Sequence, residues 1–430
     1  MAVQTIDLRS ARCAVDVAGA TRQRTELQSL IHDPVVRRRA EHELLRSRPE
    51  LDRVGAGSFA VAGELVAVAG PDQRGVQDLQ RSGFTLLARR GPLIRLARVG
   101  APMGEVLAAV ESLRRIGVIA SPNYVSAVAG GGAVGKGILG LATAQPTSVR
   151  LGPRPIDDRR GLGVRVAVVD TGIDPKAVRA PDGWLDGIDV HPGPGGNCDA
   201  LDAVPEPDGE LDPGAGHGTF VAGLIRQFSP SSAVTAVKAL ESDGVGTDWS
   251  VAEALLDLAE GDQSYDLVNL SLACVLGDIA APTGIVAAID SLVERHPDTV
   301  IVAAAGNDGS TEPTWPGAHK SVLCVGSSSG SQPAEYSNRG YWVDFSIPSE
   351  GVVSTYVQGR RTVPATQEGA EPEHLVYDGE YASWSGTSFA APQVTGMLAD
   401  LISQGLRPAQ AVAKLRHRST PSSEAGRVIG

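Results

Sequence analysis

The chain is short of the residues that usually announce a metal site, a disulfide scaffold or a membrane span. Four cysteines in 430 residues (Cys13, Cys198, Cys274 and Cys324) stand far apart, with none of the paired spacings that zinc or a disulfide framework needs. Cys274 and Cys324 fall in apolar, strand-like runs, where an inert buried thiol is expected. Aromatic residues are 4% of the chain, so the core has to be built from Ala, Val, Leu and close-packed Gly. No run spans a bilayer: Phe59–Ala69 is short and broken by Glu64. No apolar stretch lies between Met1 and the first charges, so the expected location is cytoplasmic, with secretion still compatible with another start. Positive charge is also in deficit: 38 Lys and Arg against 50 Asp and Glu leave −12. That balance argues against nucleic acid or an anionic membrane as the main partner.

What is present divides into four stretches. Residues 1–57 form a polar, arginine-rich extension, in which Asp33-Pro34 opens a helix with Val35, Val36, Ala40, Leu44 and Leu45 on one face. That face is expected to dock on the next domain or on a partner. Residues 58–128 read strand (Glu64–Ala69), helix (Asp72–Arg81), strands (Phe84–Arg89 and Leu93–Val99), helix (Met103–Ile116) and strand (Val118–Val128). This is the βαββαβ order of a small ferredoxin-like α+β domain. Residues 129–155, opening on a glycine run, read as a linker. Over 156–430, uninterrupted apolar strands (Val164–Val169, Ala233–Ala239, Leu267–Leu272, Val300–Ala305, Ser321–Val325) alternate with helices (Gly218–Gln227, Ser250–Glu260, Pro282–Arg295, Phe389–Ser403). Such strands imply an α/β fold, a parallel sheet covered by helices on both faces.

Four local signals carry chemistry. Asp170 ends an apolar strand in Asp-Thr-Gly, at the strand tip where parallel sheets place their sites. His217 lies between Gly216 and Gly218 at a helix start, a setting that would leave a general base accessible. Asn307 follows Ala303-Ala304-Ala305-Gly306 and could be a turn residue or an amide donor to an oxyanion. Ser388, in Ser385-Gly386-Thr387-Ser388-Phe389, opens an apolar helix with its hydroxyl expected to be exposed. Each signal alone has a plain structural explanation: a turn, a satisfied histidine, an αL asparagine, an N-cap.

Together, in the order Asp170, His217, Asn307, Ser388, they resemble the subtilisin-like serine peptidases, the subtilases. The likeness rests on Val-Ala-Val-Val-Asp-Thr-Gly-Ile (166–173), Gly-His-Gly-Thr-Phe-Val-Ala-Gly (216–223), Ala-Ala-Gly-Asn (304–307) and Gly-Thr-Ser-Phe-Ala-Ala-Pro (386–392), and covers about 156–420. It implies a serine endopeptidase acting on protein or peptide. Ser388 would be the nucleophile, His217 the base, Asp170 its orienting partner, and Asn307 with the Ser388 N–H the oxyanion hole. No cofactor is required.

The resemblance also implies substrate contacts at Ser271, Leu272 and Ala273 on one side and at Ala304 and Gly306 on the other, with Thr314 near the pocket floor. Ala273 and Cys274 stand where the family usually has glycine, which narrows the pocket toward a small or medium P1 residue. Structural calcium is common in the family, so the loop with Asp199, Asp202, Glu206, Asp208, Glu210 and Asp212 reads either as a calcium site or, preferably, as a solvated acidic surface. Arg360–Tyr377 reads as an insertion near the cleft. The 58–128 domain resembles a subtilase propeptide whose last strand, with Pro122-Asn123-Tyr124, enters the cleft as an inhibitor, making the chain a zymogen cleaved between Tyr124 and Pro155. The alternative is a gated or silent peptidase-like binding module that a partner must open. An esterase is a distant third, because histidine precedes serine in this chain.

Overall fold

A computed structural model describes residues 15–16, 20–21, 23–24, 28, 32–54, 58–69, 74–128, 154–155, 158–179, 183–190, 196–274, 281–363 and 371–430. Cys13 and nearly all of the expected linker lie outside the described residues.

Helix α1 (Pro34–Ser47) starts where Pro follows Asp33, a position at which the missing N–H costs nothing. Its Leu44 is buried with Leu51, Phe59, Val125 and Val245; the side chains of Val35, Val36 and Ala40 lie outside the described set. Strand β1 (Leu51–Val54) then pairs antiparallel with β2 (Ser58–Val68). This strand falls within the stretch read from sequence as a helical extension, because Asp52 and Arg53 between two apolar ends leave no periodicity to read. The rest follows the expected order: α2 (Arg74–Arg81), β3 (Thr85–Arg90), β4 (Leu93–Ala97), α3 (Met103–Arg115) and β5 (Ala120–Val128). The strands run β5-β2-β4-β3, all antiparallel. Helix α3 buries Met103, Val106, Val110 and Leu113, a helical stripe in which each side chain contributes roughly 1.5–3 kcal/mol on burial.

The second half supplies β6 (Arg165–Asp170), β7 (Asp189–Val190), α4 (His217–Phe228), β8 (Ala233–Lys238), β9 (Val245–Thr247) and α5 (Asp248–Glu260). After these come β10 (Leu267–Leu270), β11 (Leu272–Ala273), α6 (Thr283–Arg295), β12 (Val300–Ala304) and β13 (Val322–Ser329). Strand Phe345–Ile347 pairs with β13, followed in order by β12, β10, β6, β8 and β7, every pairing parallel. Both faces of β6, β10 and β12 are covered, so their residues from Val166, Leu267 and Ile301 onward are all buried, which is why the sequence shows runs and not alternation. Gly396 lets helix Ala391–Ser403 close on α4; a Cβ there would stand 2.7 Å from that of Phe228.

The two halves meet through β5. It lies between β9 and β11, antiparallel to both, with Val125 opposite Thr247, Ala127 opposite Val245 and Ala273, and Val128 opposite Leu272. Its polar side chains cap two helices of the second half. The Ser121 hydroxyl accepts from Thr283 N at 3.0 Å, and Asn123 Oδ1 accepts from Trp249 N at 3.0 Å. These are N–H groups at the starts of α6 and α5, which no intrahelical carbonyl can satisfy. Charge complements the join: Arg48 grips Asp243 with two bonds of 2.7 Å, and Arg90 reaches Asp257 at 2.7 Å.

Candidate active site

Asp170 occupies the last position of β6 and His217 the first of α4. The two elements can approach because position 218 is glycine; a Cβ there would lie 2.1 Å from the Gly172 carbonyl oxygen. The sequence reading took the glycines beside His217 as a sign of accessibility, and the structure corrects this. His217 is 1% exposed, its ring set against those of Trp384 (5.5 Å) and Phe389 (5.4 Å). The glycines serve close backbone packing. At 2.7 Å, His217 Nδ1 and Asp170 Oδ1 share a buried hydrogen bond, and Thr171 N donates to the same oxygen at 2.8 Å. His217 Nε2 is buried with no partner among the described residues.

Ser388 also departs from expectation. It lies in a single 3₁₀ turn, Thr387–Phe389, with the α-helix beginning only at Ala391, and it is 4% exposed, so its hydroxyl is not at the surface. Gly386, at φ 153°, leads directly into this turn. Ser388 Oγ donates to the Ser271 carbonyl at 3.2 Å, and Ser271 Oγ donates to the Ser388 carbonyl at 2.8 Å. Ser271, expected to touch substrate, is thus bound to Ser388 in both directions.

Asn307 is oriented by Thr387, whose N–H and Oγ1 both donate to Asn307 Oδ1 at 2.9 Å. Its Nδ2 is therefore the end turned toward Gly386, where a Cβ would crowd it at 3.2 Å. Asp170, His217, Asn307 and Ser388 are brought together at the C-terminal edge of the parallel sheet. Leu272 and Ala273 are brought there too, but β5 already occupies their free edge. Ala304 is buried in β12, and Gly306 has φ 98° with Asn338 Nδ2 2.5 Å from where a Cβ would be. Thr314 is fully buried and its hydroxyl is spent on Ala305 O at 2.6 Å. Cys274 exchanges both backbone hydrogen bonds with Trp315, and burial pushes its thiol well above the ordinary range.

Several contributors escaped the sequence reading. Asn338 holds the Asn307 loop, accepting from Asp308 N and Ser310 N and donating to Ala305 O. Asn269 links Ser271 to Thr395, and a polar residue inside the apolar run Leu267–Leu270 was the available clue. Strand β9, the other wall around β5, is three residues long and contains a glycine. A cavity of about 180 Å³ is lined by Asp174, Trp184, Tyr356 and Tyr381, and Ser388 is not among its lining residues.

The acidic loop is not simply a solvated surface. Asp199 and Asp212 are buried, 4% and 7% exposed. Asp199 Oδ2 accepts from Thr171 Oγ1 (2.9 Å) and Gly216 N (2.8 Å), and Oδ1 from Leu201 N (3.1 Å). Burial pushes its carboxyl up to about 7, against those three bonds, and the neighbouring Asp170 charge pushes the same way. Asp212 takes Ala203 N, Val204 N and the Ser242 hydroxyl. Among the described residues, no group of three or more His, Cys, Asp or Glu side chains converges as a metal ion requires. Within Arg360–Tyr377, strands Gly359–Val363 and Glu373–Tyr377 pair antiparallel, and Thr362 ties the first of them to this loop through Glu210 at 2.8 Å. No helix among the described residues is long and apolar enough to cross a membrane.

The fold is the α/β arrangement of subtilisin-like proteins. Residues 161–427 match the peptidase S8 model, described as the subtilase family. The chain is 32% identical over 258 residues to a thermophilic serine proteinase of Bacillus sp. (strain AK1), covering 56% of this chain and 53% of that protein. It is 29% identical over 268 residues to thermitase of Thermoactinomyces vulgaris, covering 59% and 80%. The match thus spans about half the length of the first relative and most of the second. The structure resembles that of fervidolysin from Fervidobacterium pennivorans, a keratinolytic enzyme related to subtilisin, with TM-score 0.61 at 17% identity, over 88% of this chain and 61% of that one; that likeness is one of fold. The chain belongs to the subtilase family, the subtilisin-like serine peptidases.

Proposed function

We propose that the protein is a serine endopeptidase whose acyl-transfer machinery is Ser388, His217, Asp170 and Asn307, made as a zymogen with its N-terminal domain as inhibitor. The observation that carries the catalytic half is the buried 2.7 Å bond between His217 Nδ1 and Asp170 Oδ1, with Nε2 left unpartnered. That bond fixes the tautomer in which Nε2 is the basic nitrogen. Ser388 Oγ attacks the scissile carbonyl as its proton passes to Nε2, and the oxyanion forms against Asn307 Nδ2 and the Ser388 N–H. The Nε2 proton then goes to the leaving amine, and water repeats the sequence to free Ser388. Asp170 Oδ1, held to Nδ1 at 2.7 Å, keeps the imidazole oriented and stabilises its charged form.

The inhibitory half is supported by β5, whose backbone takes both edges that an extended substrate would use. The alternative, a module that a partner must open, is favoured by one observation: Ser388 Oγ is bonded to Ser271 O and not to His217. Intact mass of wild type beside Ser388→Ala separates the readings. Cleavage between about 124 and 155 in wild type alone supports the peptidase and its zymogen. If neither splits and a fluorophosphonate fails to label Ser388, the catalytic reading falls.

A further inference from the structure

Val15, Asp16, Ala20 and Gln23 lie upstream of the domain that carries β5, yet they touch the peptidase half beside the Ser388 turn. Val15 bridges Val352, and Asp16 N donates to Gly351 O at 2.7 Å. Ser383 Oγ donates to Asp16 Oδ2 at 2.9 Å. Ala20 is buried against Gly351; a Cβ on that glycine would stand 2.6 Å from the Ala20 Cβ. Gln23 is 2% exposed, which is rare for glutamine. Its Nε2 donates to Ser383 O at 3.0 Å and its Oε1 accepts from Ser385 Oγ. Ser385 Oγ in turn accepts from Gly351 N at 2.8 Å. Ser385 is three residues from Ser388, in the segment that enters the nucleophile turn.

A buried glutamine with both ends paired to one backbone stretch is a specific seat: neither a shorter nor a charged side chain satisfies both partners. The Arg24–Glu350 and His32–Glu335 pairs at the margin are more exposed and contribute little.

We propose that the Gly351 and Ser383–Ser385 surface is a second docking site for the chain's own N-terminal segment, with Val15, Asp16, Ala20 and Gln23 as its anchors, so that the inhibitor is bivalent. This rests on the zymogen reading. Residues 15–24 and β5 lie on the same side of the 129–155 segment. A cut there leaves both attached to one fragment, held at two places. Each contact raises the effective concentration of the other, which multiplies affinity by about 10²–10⁴ for well-matched pairs. Removal of β5 from the cleft therefore does not by itself release the fragment or free the turn before Ser388.

The test uses the full chain and two readouts. In a Ser388→Ala background, hydrogen exchange is followed at 381–385 in Gln23→Ala and Ala20→Glu; the second variant cannot seat against Gly351. Exchange there should quicken about tenfold in Gln23→Ala, the loss of two buried hydrogen bonds, while 120–128 stays protected. With Ser388 intact, fluorophosphonate labelling is compared in Ala127→Pro, which breaks the β5 pairing, and in Ala127→Pro with Gln23→Ala or Ala20→Glu. Labelling about tenfold faster in the double variants supports two locks. Unchanged exchange at 381–385, or double variants within twofold of Ala127→Pro, overturns the proposal. No labelling in any variant, with exchange still quickened, overturns the peptidase reading and reduces the contact to a structural one.

Discussion

Asp199→Asn tests whether the carboxyl behind Asp170 and His217 is neutral in the folded protein. The group joins the end of β6 to the start of α4 through Thr171 Oγ1 and Gly216 N. Burial pushes it up to about 7 from 3.8, so between those values the unfolded chain ionises while the folded chain keeps its proton. Folding stability from this group therefore falls as pH rises from about 4 to 7 and is flat above. The shift corresponds to roughly 4 kcal/mol at most. Asparagine removes that pH-dependent loss. With its oxygen toward Thr171 and Gly216 it keeps two bonds, but its amide then faces Leu201 N, and one lost buried bond costs about 1–3 kcal/mol. Asp199→Asn should thus be less stable than its parent by about 1–3 kcal/mol at pH 4, and more stable by a similar amount at pH 8. Urea unfolding of both in a Ser388→Ala background, which removes self-digestion, reads the difference directly, since other titrating groups cancel. A difference independent of pH would refute the reasoning and show Asp199 ionised throughout.

Asn307→Ala should lower kcat by about 10²–10³ with KM little changed, the usual cost of one oxyanion donor; that figure comes from subtilisin, a member of this family, and is no independent forecast. Steady-state hydrolysis of a peptide substrate checks it, and an equal effect on KM alone would remove Asn307 from the oxyanion role. Gly218→Ala places a methyl 2.1 Å from Gly172 O and should cost about 3 kcal/mol or more, seen as a melting temperature lower by about 3 °C or more for a chain of this size. Arg48→Met leaves Asp243, 4% exposed, without its bidentate partner and should cost about 3–5 kcal/mol. Denaturation of the Ser388→Ala chain measures it, and a change under 1 kcal/mol would mean that water replaces the pair.

The motifs of the site were legible because each is local: a strand end, a helix start and a turn write their glycines next to the side chain they present. What those glycines do was not legible. Beside His217 they looked like clearance for an accessible base, whereas the 2.1 Å approach of position 218 to Gly172 O shows them admitting another backbone. Asp199 read as one carboxylate in a solvated acidic loop because its burial is decided by a register with Thr171 and Gly216 that no local pattern encodes. Gln23 and Ser385 are 362 residues apart, and although Ser385 opens the Ser-Gly-Thr-Ser stretch, nothing local couples it to Gln23.

Strand β5 shows where the limit lies. All nine of its residues are buried, yet three of them, Ser121, Asn123 and Ser126, are polar, which contradicts the apolar run expected of a strand covered on both faces. The Ser126 hydroxyl is buried without a hydrogen-bond partner among the described residues, whereas for Ser121 and Asn123 the contradiction resolves with the second half in place. There Ser121 and Asn123 accept the N–H groups at the starts of α6 and α5, which no intrahelical carbonyl satisfies. Ser121 and Asn123 thus answer donors that lie elsewhere in the chain, and those donors belong to the peptidase half. The strand is composed for the surface it covers as much as for the sheet it completes, so the two halves are best treated as one folding and binding problem.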